Sequence, residues 1–391
     1  MSHVQVYACG LNSVGQTAWT SPAFKVWKPV LLEGIRRILY ASWLLTFGLS
    51  VDNQVVYWGQ DPVTNESVAP TPIAALAGKA VKTLFHVHER VLCLTVQGDV
   101  FLVKLSDKDT STHLFRRCQD MAVVGNIGLV ILCLSTEQGI QWMTFANAST
   151  TLYPVQIYPP LHDIATVVGS PSHLVVLTKQ GDLYTCGSNR LGQLGRGEVD
   201  FKSSDQVFTR IAAHDSTMGQ LELQVVETLQ SLGATCVSSS AFHTAAIAQG
   251  DLYTWGWSDK GRCGVHIMDV DGEKRNLALP QLVNIEPNST DATGEDIEFL
   301  QVSCGEAHTI ALDAQGRVFV CGWGKYGQLG RAPPSDQPTP GYLELPRPPD
   351  EFYLPIFEPL EPAWISNGKA KVRVVYAGVW NSFIEVELAP H

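Results

Sequence analysis

"CGWGKYGQLGR", residues 321–331, decides the fold because its glycines admit two readings. Gly322, Gly324 and Gly327 spell G-x-G-x-x-G, and Glu344 stands roughly 20 positions on, as a dinucleotide-binding fingerprint asks. A phosphate cradle, however, needs a helix after the glycines, whose first amides and positive dipole end hold the anion. The chain instead continues Gln328-Leu329-Gly330-Arg331-Ala332-Pro333-Pro334, and a glycine and paired prolines stop a helix before its second turn. The P-loop reading fails as well, since Gln328-Leu329 stand where Lys and Ser/Thr are required. No nucleotide cofactor is expected.

The stretch also recurs. "CGSNRLGQLGRG" (186–197) sets Gly187, Gly192 and Gly195 at the offsets of Gly322, Gly327 and Gly330. "WGWSDKGRCGV" (255–265) repeats them with Gly256, Gly261 and Gly264, and "CGLNSVGQ" (9–16) gives a partial copy with Gly10 and Gly15. Asn189, Ser258 and Asn12 replace the middle glycine. These residue types share a capacity for tight turns, through positive φ or a side-chain bond to the backbone. The glycines are therefore architectural.

A longer unit precedes each cluster. "LQVSCGEAHTIALDAQGRVFVCGWGKYGQLG" (300–330) aligns with 234–264 and 165–195. Each holds an apolar run, a histidine (His308, His243, His173), a second apolar run, a Q-G turn, a third strand and the glycine hairpin. Four short strands joined by tight turns make one propeller blade. The second runs are apolar on both faces, as a strand sandwiched between neighbouring blades requires. Weaker copies lie at 37–59, 80–103 and 121–145. The turn residues Asn53, Gly98, Gly139 and Gly181 step by 45, 41 and 42 positions, and Gly250 and Gly316 come after steps of 69 and 66. The longer steps reflect insertions at about 198–231 and 265–296.

The C-terminal stretch 371–388 reads as the first two strands of a unit, and 4–16 as the last two of another. Together they complete one blade and leave no long sheet edge unpaired. The expectation is an all-β, seven-bladed propeller forming a single domain. Its blades lie near 37–61, 80–104, 118–145, 163–197, 232–264 and 297–331, with 371–388 joined to 4–18. The H-T-x-A-L run, the Q-G turn, Y-x-W-G and G-x-x-x-x-G-Q-L-G resemble the repeat of the regulator of chromosome condensation family, whose members are seven-bladed propellers. The resemblance is specific over 163–331 and only outlined over 60–162. It implies protein binding, as a scaffold or regulatory subunit, with guanine-nucleotide exchange on a small Ras-like GTPase as the alternative.

Chemistry has little purchase in this sequence. The three repeat histidines occupy one position in three blades, so a structural role bonded to local backbone is expected. "HVHE" (86–89) puts His86 and His88 on one face of a strand, but two ligands do not complete a zinc site and no metal is expected. No nucleophile or metalloprotease motif stands in context. A net charge of −11 disfavours nucleic acid and anionic membranes as partners. Nine cysteines without a C-x-x-C pair suit reduced thiols in the cytosol or nucleus. Cys9, Cys186 and Cys321, which alternate with Trp58 and Trp255 in sister segments, read as small core fillers. The opening residues carry no charged n-region before an apolar run, so secretion is not expected. The longest greasy run, 38–51, is too short to span a bilayer. A monomer is expected.

The segment 332–364 stands apart, with six acidic residues against one arginine and several aromatics between prolines. Its prolines argue against regular strand. One reading is a stiff arm gripping a basic protein surface, such as a small GTPase or a chromatin- or cytoskeleton-linked protein. Tyr342, Phe352, Tyr353 and Phe357 would be its anchors, and Asp350, Glu351 and Glu358 its steering charges. The other is a loop that packs its aromatics onto its own propeller.

Overall fold

The computed structural model describes residues 3–125, 130–136, 139–146, 149–151, 157–158, 160–161, 163–199, 221–265, 276–285, 297–333, 352–360 and 370–388. These form seven four-stranded antiparallel sheets, each running up and down through neighbours in the chain, and one short parallel pair, Ile157–Tyr158 with Leu221–Glu222. Helix is confined to single 3-10 turns. One sheet is discontinuous: Ala370–Ala377 pairs with Asn381–Leu388, which pairs with His3–Leu11, which pairs with Lys25–Leu31. Asn381–Leu388 runs against His3–Leu11 without a break, from His3 opposite Leu388 to Gly10 opposite Asn381.

The second strand of each strong repeat is buried at every position: His173–Thr178, His243–Ala248 and His308–Asp313. These short β-branched and aliphatic runs have an apolar neighbour on each face. The turns after them use positive φ at Asn53 (62°), Gly98 (85°), Gly181 (87°), Gly250 (84°) and Gly316 (85°). That explains the glycine, and the asparagine that replaces it once.

The fourth strands do not lie in the glycine hairpins. The chain first makes the hairpin and then, after a variable segment, returns as the outer strand. Ser67–Pro72, Gln224–Val225, Leu277–Leu282 and Tyr353–Pro359 are such strands. The insertions at 198–231, 265–296 and 332–364 therefore contain the outer strands. In the discontinuous sheet the outer strand is Lys25–Leu31, beyond the 4–18 boundary expected from sequence. Pro355 and Pro359 are tolerated in Tyr353–Pro359 because an outer strand has an open edge, where a missing amide leaves no ladder bond unmade. Contrary to the sequence expectation, the prolines of this segment do not exclude strand.

The chain divides into two compact units, Met1–Pro72 with Asp259–Met268 and Val283–His391, and Ile73–Ser258 with Asp269–Leu282. In the first unit, one core gathers Val6, Val26, Ile38, Trp58 and Phe383, and another Ile310, Val320, Leu354, Val375 and Ile384. In the second, Val175, Leu183, Val237, Ala246 and Trp255 form the largest cluster over the strong repeats.

The eleven repeat glycines all have positive φ. Gly327 (φ +91°) shows why no side chain is admitted: a Cβ there would stand 2.5 Å from the Val26 carbonyl oxygen, on the adjoining outer strand. Gly327→Val should lower stability by roughly 1–3 kcal/mol from backbone strain alone, read as a drop in the thermal midpoint. Deleting 371–391 removes Asn381–Leu388, which pairs with His3–Leu11, and nearly all of Ala370–Ala377 beyond it, so insoluble or protease-sensitive protein is expected. An unchanged melting curve and unchanged protease resistance in that truncation would refute the shared sheet.

Candidate interaction surface

The repeat histidines and hairpin glycines belong to one latch between adjacent sheets. In the second unit, Thr244 donates its hydroxyl proton to the Gln193 carbonyl at 3.1 Å and stands 2.8 Å from His173 Nε2. A hydroxyl has one proton to give, so His173 Nε2 donates and Nδ1 accepts, facing the Ser170 hydroxyl at 2.9 Å. Trp255 Nε1 donates to the same Gln193 carbonyl at 3.0 Å. In the first unit, Ser382 donates to the Gln328 carbonyl at 2.7 Å with His308 Nε2 at 2.9 Å. Thr46 and Thr309 reach the Gln16 and Arg262 carbonyls, each at 2.7 Å. The His173 ring thus bonds hydroxyls of its own turn and of the next sheet, and the His308 ring a hydroxyl of the next sheet.

The hairpins are preorganised to present that carbonyl. Gln16, Gln193 and Gln328 each fold back to accept the amide two residues earlier, at 2.9 Å. Asn12 holds two amides and three carbonyls of its own loop. Cys9 and Cys321 direct their sulfurs at the Gln328 and Arg262 carbonyls, in the place where Trp255 uses its indole. Burial pushes the Cys9, Cys93, Cys118 and Cys186 thiols up to about 12, which suits filling and not nucleophilic work. His86 is buried and pushed down to about 4, while His88 sits in the turn beyond the strand with φ 55°. They do not share a strand face. Among the described residues no group of three or more His, Cys, Asp or Glu side chains could hold a metal.

Of the expected partner residues, Tyr342, Asp350 and Glu351 lie outside the described residues. The others build the outer strand and its entry. Phe352 accepts the Gly324 amide at 2.8 Å and packs on the Leu329 core. Tyr353 lies under the Lys260 ammonium, 5.9 Å from the ring centre. Phe357 is only 3% exposed and fills the space that Gly264 leaves by lacking a side chain. Glu358 pairs with Arg331 at 2.7 Å. Phe357 is thus a core residue and no anchor: a register shift in its pairing lets it turn inward toward Gly264, although Leu354, an odd number of positions away, is buried too.

A different cluster of aromatics lies in the first unit, with Trp43 exposed, Trp323 and Tyr326 half-buried and Trp380 buried. Trp43 and Trp380 sit in equivalent turns between first and second strands, and Trp323 and Tyr326 end a third strand and begin its hairpin. Trp380 lies at the centre, edge-on to Trp43 (5.6 Å, 87°), Trp323 (5.6 Å, 78°) and Tyr326 (5.4 Å, 70°). That geometry sets positive ring edges against negative faces. The Trp380 carbonyl is tied by the Leu11 amide at 2.9 Å, which fixes the turn. Around it, Trp43 is 52% and Phe24 57% exposed. Lys325 caps Trp323 and Tyr326 at 5.5 and 5.6 Å, and Lys25 caps Trp27 and Tyr326 at 5.4 and 5.8 Å. Rigid indoles and a tyrosine beside cations are the side-chain types in which protein-binding hot spots are enriched. Sequence reading missed this face because its residues are scattered over 24–43, 323–326 and 380. The signal was available only once the turns of different repeats were superposed.

One model of the Regulator of chromosome condensation (RCC1) repeat matches residues 249–312 and 315–348, and a second matches 164–193 and 299–328. The chain is 31% identical over 201 residues to the ultraviolet-B receptor UVR8 of Arabidopsis thaliana, covering 51% of this chain and 38% of that protein. It is 24% identical over 243 residues to the mouse (Mus musculus) RCC1 domain-containing protein 1, covering 54% and 52%. The matches thus span about half or less of these relatives' lengths. Among solved structures, Prp20p from Saccharomyces cerevisiae superposes with a TM-score of 0.71 at 17% identity, over 99% of this chain and 92% of that one. That likeness shows the fold: an all-β propeller of four-stranded blades.

The latch carries a pH signature. His173 and His308 are held neutral by burial down to about 3 in the fold, against an ordinary value of 6.5. Between those values the unfolded chain binds more protons, so the stability present above pH 6.5 is lost as pH falls toward 3. Each histidine contributes a slope of about 1.4 kcal/mol per pH unit inside that window. Glu306 and Glu385, raised by burial, act in the opposite sense. Denaturant midpoints should therefore fall from pH 6.5 to 5.5, and His173→Gln should flatten that fall. A variant with the wild-type pH slope would show that the histidine does not titrate on unfolding.

Proposed function

We propose that this chain, which carries the repeats of the regulator of chromosome condensation family, is a non-enzymatic protein-interaction propeller acting as a scaffold or regulatory subunit. The observation that carries the reading is the aromatic face around Trp380, where Trp43 and Phe24 stand more than half exposed. Apolar surface of that kind, rimmed by lysines, marks a docking site more often than a bare patch of solvent-facing protein. In this reading the chain is monomeric, and the latches between adjacent sheets within each unit make the rigid platform from which the turns project. The partner is a protein, and no cofactor is required. The chain works in the cytosol or nucleus, in keeping with the unpaired cysteines among the described residues.

A second reading, nucleotide exchange on a small GTPase, draws on relatives. The structure of Prp20p is reported with its binding properties to Gsp1p and histones. The chain is also 33% identical over 174 residues to an X-linked retinitis pigmentosa GTPase regulator homolog of Caenorhabditis elegans, covering 44% of this chain and 10% of that protein. Exchange needs no catalytic side-chain motif, only a surface that distorts a nucleotide pocket.

Affinity capture with wild type and with the double variant Trp43→Ala/Phe24→Asp separates these ideas from error. Partners held through the aromatic face should disappear from the variant while its melting curve stays that of wild type. Truncating a hot-spot tryptophan should weaken binding by roughly 2 kcal/mol or more. Equal capture by both proteins would move the docking site elsewhere. Nucleotide release over a panel of small GTPases tests the second reading, which is lost if no member is accelerated.

A further inference from the structure

We propose that the sheet of Val81–Val87, Arg90–Thr95, Val100–Lys104 and Asp107–Phe115 is a local opening unit, which parts reversibly from the sheet starting at Asp120–Val124 while the latched sheets stay closed. The distribution of latches carries it. Each glycine hairpin presents a carbonyl to the second residue of the next central strand: Gln16 to Thr46, Gln193 to Thr244, Arg262 to Thr309 and Gln328 to Ser382. Two third strands make no such hairpin. Val100–Lys104 passes into Asp107–Phe115 across Leu105 and Ser106 alone, and Gly139–Ala146 is followed by Ser149–Thr151 after two positions. The second residues of the central strands that come next are Ile131 and Leu174. Acceptor and donor are lost together, since a hydroxyl buried without its carbonyl would carry the cost of an unmade bond. The opening sheet holds neither half of a latch, because buried Val91 takes the hydroxyl's position in Arg90–Thr95.

Toward the next sheet the contact is an apolar cluster: Leu92, Leu94, Val100 and Leu102 share it with Met121, and Phe85, Val87 and Val123 lie against it. Such packing buries surface but prescribes no register. Lys82 also reaches across, to the Gln119 carbonyl at 2.5 Å and the Asp120 carboxylate at 3.6 Å. Its side chain is 46% exposed, and exposed ion pairs contribute little. The other Asp120 oxygen faces the sheet beyond, where it accepts the Thr166 hydroxyl and the Val167 amide at 3.0 Å. On the near side, the Cys118 amide is tied to the Gly98 carbonyl at 2.9 Å. Cys118 is therefore fastened to the opening sheet and Asp120 to its neighbour, which places the hinge at Gln119. Arg90–Thr95 and His243–Ala248 allow a comparison inside one compact unit. Both are six-residue central strands with an antiparallel partner on each side, buried throughout except at Arg90. Their ladders are alike and only the second is latched, so a difference in opening comes from between the sheets.

The test is hydrogen exchange of the full chain at low urea, followed by mass spectrometry and read as protection factors so that intrinsic exchange rates cancel. Arg90–Thr95 should be about tenfold or more less protected than His243–Ala248, and Val100–Lys104 should exchange in step with Arg90–Thr95. Thr244→Val removes the latch hydroxyl while keeping the side chain's shape. It should lower the protection of His243–Ala248 about tenfold and leave Arg90–Thr95 unchanged. Thr244→Ser keeps the hydroxyl and should hold protection near that of wild type. Equal or greater protection of Arg90–Thr95 overturns the proposal, and so does exchange of both strands in a single cooperative step. If Thr244→Val folds and keeps wild-type protection at His243–Ala248, the latch does not distinguish the sheets and the proposal falls as well. If that variant does not fold, the comparison of the two strands in the wild-type chain decides by itself.

Discussion

A single backbone carbonyl, that of the glutamine in G-Q-L-G, is the point on which neighbouring sheets depend. Each sheet must bury its second strand between neighbours, yet the hydrophobic effect that drives this is non-directional and sets no register. The carbonyl of Gln193 supplies the register by receiving both the Thr244 hydroxyl and the Trp255 indole. A buried acceptor left unmade would cost about 1–3 kcal/mol, so sliding one sheet against the next is penalised at a defined place. His173, aligned by Ser170, then fixes the Thr244 hydroxyl in the orientation that the carbonyl needs.

This arrangement explains which substitutions the repeat allows. The carbonyl belongs to the backbone, so Arg262 serves in place of glutamine, its own guanidinium turning to the Asp259 and Glu306 carbonyls. A hydroxyl makes the bond at Thr46, Thr309 and Ser382, whereas Leu174 stands at that position in the repeat that carries His173. Neither is the histidine fixed: Asn381 occupies its position in the discontinuous sheet and reaches Thr17 instead. The weak repeat at 37–59, which lacks the histidine, keeps its Thr46 latch.

The fold was legible in the sequence wherever a residue type is forced by backbone geometry. The glycines at positive φ, the doubly buried second strands and the pairing of the two chain ends all announce themselves in spacing and composition. The outer strands were not legible, because an edge strand makes one set of ladder bonds and tolerates proline, which erases its pattern. Gln224–Val225 is two residues long, and Tyr353–Pro359 carries two prolines. The candidate site was misread for a related reason. Phe352, Tyr353 and Phe357 look like an exposed aromatic group in a proline-rich stretch, and only strand pairing reveals that Phe357 turns inward. Trp43, Trp323 and Trp380, hundreds of positions apart, are brought together by the ring contacts of three successive sheets, which no local pattern encodes.

The placement of each outer strand after its hairpin has a bearing on how this protein can change. The hairpin is tied to the adjoining sheet before the variable segment begins, as when Gly327 meets Val26, and the outer strand after the segment is tied by its own ladder. The segment between has both of its ends already anchored. Doubling the length of such a closed segment adds only about 0.6 kcal/mol of closure entropy. Sequence at 198–220, 265–276 and 332–351 can therefore be lengthened, shortened or exchanged with little reference to the sheets. These are ports through which a lineage, or a protein engineer, can graft new recognition elements onto an unaltered frame.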